Sequence, residues 1–454
     1  MSLVRRKTLI TFTILLLTLC ASLSYAKELH VSIHGDDKND GSLSSPLKSI
    51  KAGMKKITAG DTLYIHKGTY KVNGYDDYEP ALEPNESGTK DKPITITTYG
   101  DGKVLIDGGQ SPTNTIIGST GKDYVHIKGS GPNDLLHIKG QVFFRNSQGC
   151  KLEFCDIYGG GQEAENWNTV LRIERSYDTT IRNNIIHDNW HSVGSALLQY
   201  YGFTDEKIGP LQNTIIEYNT FYNAENYAIR LKDDPEGVTI RNNYFYDCGG
   251  AGVRTSNQAK GQKVYIYQNI FRNCKYGVQF IILVDPVYVY NNNFINCKQA
   301  DIRAQQSGEP DVVWHAFNNI HYKSNKYIET LWGPSIKDDC RFLDYNIYFS
   351  GKGWTDDGKT YETLTQWRKH LDSDNNIIYE SNSITVNPEF NDPNGLSANS
   401  FKRKKYSKNG RGGQYPNVIG AFINDNTTIG FNYTGSVSLK APVIIDVSNQ
   451  LSKN

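Results

Sequence analysis

Arg230 and Lys232 lie two residues apart, with Arg254 further along the chain. A guanidinium can hold a carboxylate or sulfate through two parallel hydrogen bonds, which a lone ammonium cannot do. A lysine beside guanidiniums gives up its proton more readily, because like charges disfavour the cationic form. A neutral amine next to carboxylate-binding arginines is what β-elimination on a uronic-acid chain requires. The arginines neutralise the C6 carboxylate, the amine takes the acidified C5 proton, and a donor protonates the departing O4. In that chemistry Lys232 is the base and Arg254 contacts the carboxylate or the leaving group.

Other residues offer different chemistry. Asp233-Asp234-Pro-Glu236 is the densest carboxylate cluster of the central region. Hard oxygens in a loop suit calcium, paired acids suit glycoside hydrolysis, and Asp-Pro sequences also form ordinary polar turns. A long segment after Asn184 carries His187, Asp188, Trp190 and His191, with Tyr200 and Tyr201 following. Trp190 and Tyr200 could stack on sugar rings, and His191 is an alternative acid or base, though a lone loop histidine is more often structural. Glu163, Glu165 and Trp167 sit in a second insertion, Gln162–Asn168. No phosphate-cradling glycine loop, serine-nucleophile elbow or zinc motif is present.

A repeat in the middle of the chain would position these groups. Four segments align: Asn219–Ala224, Asn243–Cys248, Asn269–Cys274 and Asn292–Cys297, each with Phe third, and they begin 24, 26 and 23 residues apart. Weaker copies begin at Cys155, Asn184, Asn318 and Asn346. Short alternating stretches flank each copy, such as Val238–Arg241 before and Gly252–Arg254 after. A period near 24 without helical spacing predicts an all-β parallel β-helix, each coil turning once around a narrow core. The recurring Asn suits a ladder of amides. Cys248, Cys274 and Cys297 fall at one position in successive coils, which predicts a buried stack of reduced thiols. One cysteine per coil gives no tetrahedral zinc set.

Aligning the coils by their Asn puts Arg172, Arg230, Arg254 and Arg303 at one position on an outer face, with Gln279 between the last two. Lys232 points the same way, because side chains two apart on a strand share a face. Tyr200 is expected at the corresponding site one coil before Arg230. A column of guanidiniums needs anions beside it. Asp and Glu from adjacent loops would serve, and so would an acidic polymer lying in a groove.

Composition narrows the classes. The 454 residues carry 49 Lys+Arg against 48 Asp+Glu, which argues against a generic nucleic-acid binder. Arg5, Arg6 and Lys7 precede an apolar run, Leu9–Leu23, and Ser24-Tyr25-Ala26 has the small residues of a cleavage site. Residues 1–26 therefore read as a secretory signal, and its loss takes the formal charge from +1 to −2. No later stretch is long and apolar enough to span a membrane. A secreted or periplasmic monomer is expected. Residues 27–424 would form the solenoid with its capping segments, and residues 425–454 a tail with an added strand pair. Pro46–Ile57 has the spacing of an amphipathic capping helix. Gly60–Ile65 would open the first strand, Gly68-Thr-Tyr70 would close it, and Leu364–Leu371 reads as a late short helix.

The entrance, Val31–Pro46, with Gly60-Asp-Thr, Gly68-Thr-Tyr and Gly88–Thr95, resembles that of secreted right-handed parallel β-helix proteins, the pectate-lyase-like superfamily. That resemblance implies the handedness of the coil and a polysaccharide substrate. Glu225–Lys232, the next Asn-x-Phe turn and Gly252-Val-Arg254 are similar to the alginate lyase and chondroitinase B group. The likeness implies Lys232 as base, Arg254 as helper and Glu225 as a calcium ligand, which Asp233 and Asp234 could join. The chain departs from that group in three places. Asp233 follows the lysine where Ser is usual, Thr255-Ser256 follow the arginine where His-Gly is usual, and Tyr227 replaces a second acidic ligand. The β-helix polygalacturonase pattern is absent, since it needs Asn-Thr-Asp and Gly-His-Gly. The resulting expectation is a lyase on an acidic polysaccharide, with Arg172, Arg230, Arg303, Tyr200, Trp190 and His191 along the groove. The alternatives are a hydrolase using Asp233, Asp234 or Glu236, and a non-catalytic carbohydrate-binding surface protein.

Overall fold

The computed structural model describes residues 26–430, apart from 74–78, 110–114, 160–168, 190–194, 202–212, 233–236, 257–262, 282–285, 306–313, 332–335, 373–378, 406–409, 411–417, 423, 425 and 428. The leader up to residue 25 and everything past residue 430 lie outside the described residues. So do Trp190, His191, Asp233, Asp234, Glu236, Glu163, Glu165 and Trp167.

Three long sheets run the length of the molecule, and through the middle each coil adds one strand to each sheet. In one coil these are Ile215–Glu217, Thr220–Ala224 and Tyr227–Lys232; the next supplies Thr239–Arg241, Tyr244–Tyr246 and Ala251–Ser256. All neighbouring strands pair in parallel except the last pair of the third sheet, Trp354–Asp356 with Lys359–Tyr361. The chain is an all-β parallel solenoid.

The repeated Asn explains the sharp corner between the first and second strands of a coil. The residue before it adopts a left-handed backbone: φ is 56° at Asn183, Tyr218 and Asn242, and 55° at Gln268. Asn tolerates that region better than most residues. The Asn that follows is buried and satisfies backbone groups that the turn removes from the ladder. Asn243 Oδ1 accepts from Asn219 N at 2.9 Å and from Asn219 Nδ2 at 3.0 Å, while Asn243 Nδ2 donates to Ile216 O at 2.8 Å. The same pattern links Asn184, Asn269, Asn292, Asn319 and Asn346.

Inside, like stacks on like. Phe221, Phe245, Phe271 and Phe294 lie face to face with centroids 5.1, 4.8 and 5.1 Å apart. Cys248, Cys274 and Cys297 are buried and reduced.

The ends differ in detail from the sequence expectation. Glu28–Val31 is the first strand and pairs with Thr62–Ile65, while Gly68–Lys71 starts the second sheet. The capping helix spans Ile50–Met54 rather than 46–57, because Leu47 is held in a bridge to Val31. Ser49 caps it by accepting from Ala52 N. Helix Leu364–Leu371 forms as read, closed by a Thr363–Gln366 capping box. Beyond it, Phe390, Phe401, Ile419, Phe422 and Ile429 fold back over Tyr244, Ile270, Ile320 and Ile347 on the outside of the second sheet. The described residues past Asn424 contain no strand. No helix among the described residues is long and apolar enough to cross a membrane.

Candidate functional site

The third sheet carries the arginines. Phe143, Arg172, Gln199, Arg230, Arg254, Gln279, Arg303 and Glu329 stand directly opposite one another in successive strands. The four arginines read from the sequence therefore share one row, with Gln279 where expected. Tyr200 does not join it. Its side chain is fully buried in line with Ile173 and Leu231, and Gln199 takes the outward site. Side chains alternate along a strand, so a register error of one residue moves a side chain to the opposite face. The irregular spacing after Asn184 concealed that single step. The outward tyrosine is Tyr201, paired with Lys232, whose Nζ lies 5.5 Å from the Tyr201 ring centroid.

Two tyrosines not singled out as groove residues hold the arginines. Arg254 Nη1 donates to the Tyr227 hydroxyl, and its guanidinium sits 4.7 Å from that ring centroid. Arg230 lies 6.0 Å from the same centroid. Two coils on, Arg303 Nη1 donates to the Tyr276 hydroxyl, again with 4.7 Å between guanidinium and ring centroid. Ala251 and Ala300 pack with these tyrosines and leave room for the rings to lean along the solenoid axis. The 27-residue separation of Tyr and Arg in both pairs was a signal available in the sequence.

Each outer arginine meets a carboxylate. Arg172 Nη2 is 2.6 Å from Glu174, and Arg303 Nε is 3.6 Å from Glu329. Arg230 and Arg303 are each only 8% exposed. A guanidinium so nearly buried is positioned by its neighbours rather than left in solvent. Arg254 Nε and Gln199 Nε2 are buried without a hydrogen-bond partner among the described residues. Lys232 shares a strand and a face with Arg230, and strand geometry puts its Cα about 8 Å from that of Arg254. Glu225 is exposed at the turn leading into Tyr227, its backbone N–H held by Asn189 Oδ1 at 3.0 Å. No group of three or more His, Cys, Asp or Glu side chains is placed to hold a metal among the described residues.

His187 and Asp188 lie elsewhere. They belong to strand Ile185–Asn189 of the second sheet, not to a loop beside the arginine row. His187 Nε2 is 2.9 Å from Asp156 and its Nδ1 2.8 Å from Asp188, while His137 Nδ1 is 2.8 Å from the other Asp156 oxygen. Burial pushes the His187 pKa down, but the two carboxylates outweigh it and raise the value to about 9. Against the upward push of burial, the two imidazoles hold Asp156 well below the usual carboxylate range. Tyr158 and Tyr222 stack on the two faces of His187 at 5.2 and 4.5 Å.

Comparison with known proteins bears on this arrangement. The family model described as Pel9A-like, right handed beta helix region, matches residues 29–279. Pectate lyase PEL9 of Emericella nidulans is 32% identical over 87 residues, 19% of this chain and 20% of that protein. The chain thus aligns with a fifth or less of the length of the curated relatives it matches. Among solved structures, the GH136 lacto-N-biosidase of Eubacterium ramulus superposes with a TM-score of 0.51 at 14% identity, covering 79% of this chain and 68% of that one. The pectate lyase Pel9A structure has a TM-score of 0.48 at 17% identity, covering 88% and 97%. At such identities the structural likeness is one of fold.

Proposed function

The chain belongs to the Pel9A-like right-handed β-helix family, and from that premise we propose a secreted lyase that cleaves a uronic-acid-containing polysaccharide by β-elimination. The observation that carries this reading is the outward arginine row of the third sheet with Lys232 beside Arg230. Family membership supports a carbohydrate substrate; the row supports an acidic one.

In the proposed reaction the C6 carboxylate of one uronate lies against Arg230 and Arg254. Their charges stabilise the additional negative charge that develops when C5 loses its proton. Lys232 Nζ takes that proton. The C5–H electron pair becomes the C4=C5 double bond, the C4–O4 bond breaks, and O4 leaves taking a proton from a water molecule on the Arg254 side, the hydroxide so formed being neutralised by the proton that Lys232 releases. Lys232 then returns its proton to solvent. The products are one unsaturated and one ordinary chain end, and no water is consumed. Tyr227 positions Arg254 through its hydroxyl and ring face.

Ultraviolet absorbance of the new C4=C5 bond, followed on alginate, pectins and glycosaminoglycans, tests the reading. New reducing ends without absorbance would instead place the chain with the hydrolases, and the carboxylates at 233, 234 and 236 would be the residues to examine. Binding without either product would mark a carbohydrate-binding protein. Calcium at Glu225, Asp233 and Asp234 is a separate proposal resting on the resemblance. It is checked by chelation and readdition during the same assay. Export is checked by locating the protein in fractionated cells.

A further inference from the structure

We propose that the entrance of the solenoid is an acid-sensitive latch. His30 on the opening strand and His66 behind it hold that strand in place while the pair carries one added proton or none, and release it when both rings are charged. The latch belongs to the fold and operates whatever reaction the third sheet performs.

His30 Nδ1 lies 3.2 Å from His66 Nε2. Two ring nitrogens so close need a single hydrogen between them. On its other side His66 Nδ1 is 2.8 Å from Asp101 Oδ2, while Asp101 Oδ1 accepts from Lys67 N at 2.8 Å. An ionised carboxylate can only accept, so His66 keeps its Nδ1 hydrogen and meets His30 through Nε2. In the neutral pair His30 Nδ1 donates to His66 Nε2. One added proton reverses the bond: His66 becomes an imidazolium held by Asp101, and His30 turns a lone pair toward it. A second proton sets N–H against N–H across the same gap, two like charges with no acceptor between them.

The surroundings resist that second charge. His30 is 4% exposed, stacked on Tyr64 at 5.2 Å and met edge-on by Tyr99 at 5.4 Å. Burial and His66 oppose its charging, and together they outweigh Glu28, exposed two residues back on the same strand, so its pKa lies below the ordinary 6.5. Tyr70 binds the Val31 and His66 carbonyls through an uncharged hydroxyl. Burial pushes the Asp101 carboxyl up, but the His66 and Lys67 hydrogen bonds outweigh it and hold the value low. Asp101 therefore stays ionised while the histidines titrate.

The strand concerned is free to leave. Glu28–Val31 ends its sheet, with Thr62–Ile65 as its one neighbour there. His30 also anchors the entrance loop, donating its N–H to Gly41 O at 2.7 Å and accepting from Leu47 N at 2.9 Å. His126, pushed down to about 4 in the same sheet, has a strand on each side and so cannot open as readily. Once the opening strand has left, His30 takes a proton at its ordinary value; in place it resists. The hold is complete above about pH 6.5 and is lost as pH falls toward the folded value, so the open fraction rises by at most about 30-fold at pH 5. Opening leaves Thr62–Ile65 as an unpaired sheet edge.

Hydrogen exchange of the unaltered protein at pH 7.5 and 5.0, corrected for intrinsic rates, tests the latch. Protection of residues 28–31 and 62–66 should fall about 10- to 30-fold further than that of residues 215–290, which contain no histidine. His30→Gln keeps a donor for His66 Nε2 and takes no proton, so it should remove the excess loss while leaving protection at pH 7.5 little changed. Equal losses in both regions, or an excess that persists in His30→Gln, would overturn the proposal. If the variant does not fold, ring NMR of the unaltered protein decides. One entrance imidazole should titrate below 6.5 and the amide signals of residues 28–31 should move with it; two entrance rings titrating together near 6.5 would overturn the latch.

Discussion

His187 owes its charge to its surroundings. Two carboxylates, Asp156 and Asp188, and two tyrosine faces enclose a ring whose ordinary pKa is 6.5 and whose folded value is about 9. A raised folded pKa stabilises the fold fully below the unfolded value and loses that contribution as pH climbs through the folded one. The effect is worth about 3 kcal/mol. His187→Gln should therefore lower Tm at pH 6 and flatten the decline of Tm between about pH 6.5 and 9, measured by melts across buffers. Asp156 and Asp188 act in the opposite direction, losing their contribution as pH falls through their depressed values. At the proposed active site, Lys232→Ala should cost at least about 100-fold in double-bond formation with Tm little changed. Full activity would remove Lys232 from the base role. The arginine row was legible because one guanidinium recurred at nearly one coil spacing. Gln199 was hidden because its neighbour Tyr200 looked the better sugar-binding side chain and only the strand register separates them.

A coil holds its shape at the corner where the Asn ladder runs. Asn243 touches three coils: it accepts from Asn219 and donates to Ile216 O and to Asn269 Oδ1. Asn243→Ala would strand the buried Asn219 N–H and two further polar groups. A loss of about 2–4 kcal/mol in urea denaturation is expected. The ladder was readable in the sequence because the corner requires an amide after a left-handed residue in nearly every coil. The caps were less readable. Helical spacing over 46–57 was real, but it competed with a strand-like bridge from Leu47 to Val31, which no local pattern announces. The return of Phe390, Phe401, Ile419, Phe422 and Ile429 onto the second sheet was equally silent. Its apolar residues are scattered, and its hydrogen-bond partners lie far upstream, Asn293 108 positions before Phe401 and Tyr244 152 before Leu396.

Across the whole molecule that returning segment changes what kind of object the solenoid is. Stacked coils touch only their neighbours, so a bare stack can fray one coil at a time. Phe401 is fully buried against this face, and its carbonyl accepts from Asn293 Nδ2 at 3.1 Å. Tyr244 donates to Leu396 O across 152 residues of chain, and Gly430 N donates to Asn242 O. Phe401→Ala should cost about 3–5 kcal/mol. It should also split one unfolding transition into two, with amide exchange rising first in residues 242–347; a single unaltered transition would refute the coupling. The segment acts as a tie across coils that would otherwise melt independently. The contacts it makes are among the most distant in sequence, and loop closure makes such contacts slow to form. A solenoid that could assemble by quick local steps therefore gains its all-or-none character from a late, slow event, so a chain interrupted before this stretch would be coiled but not yet locked.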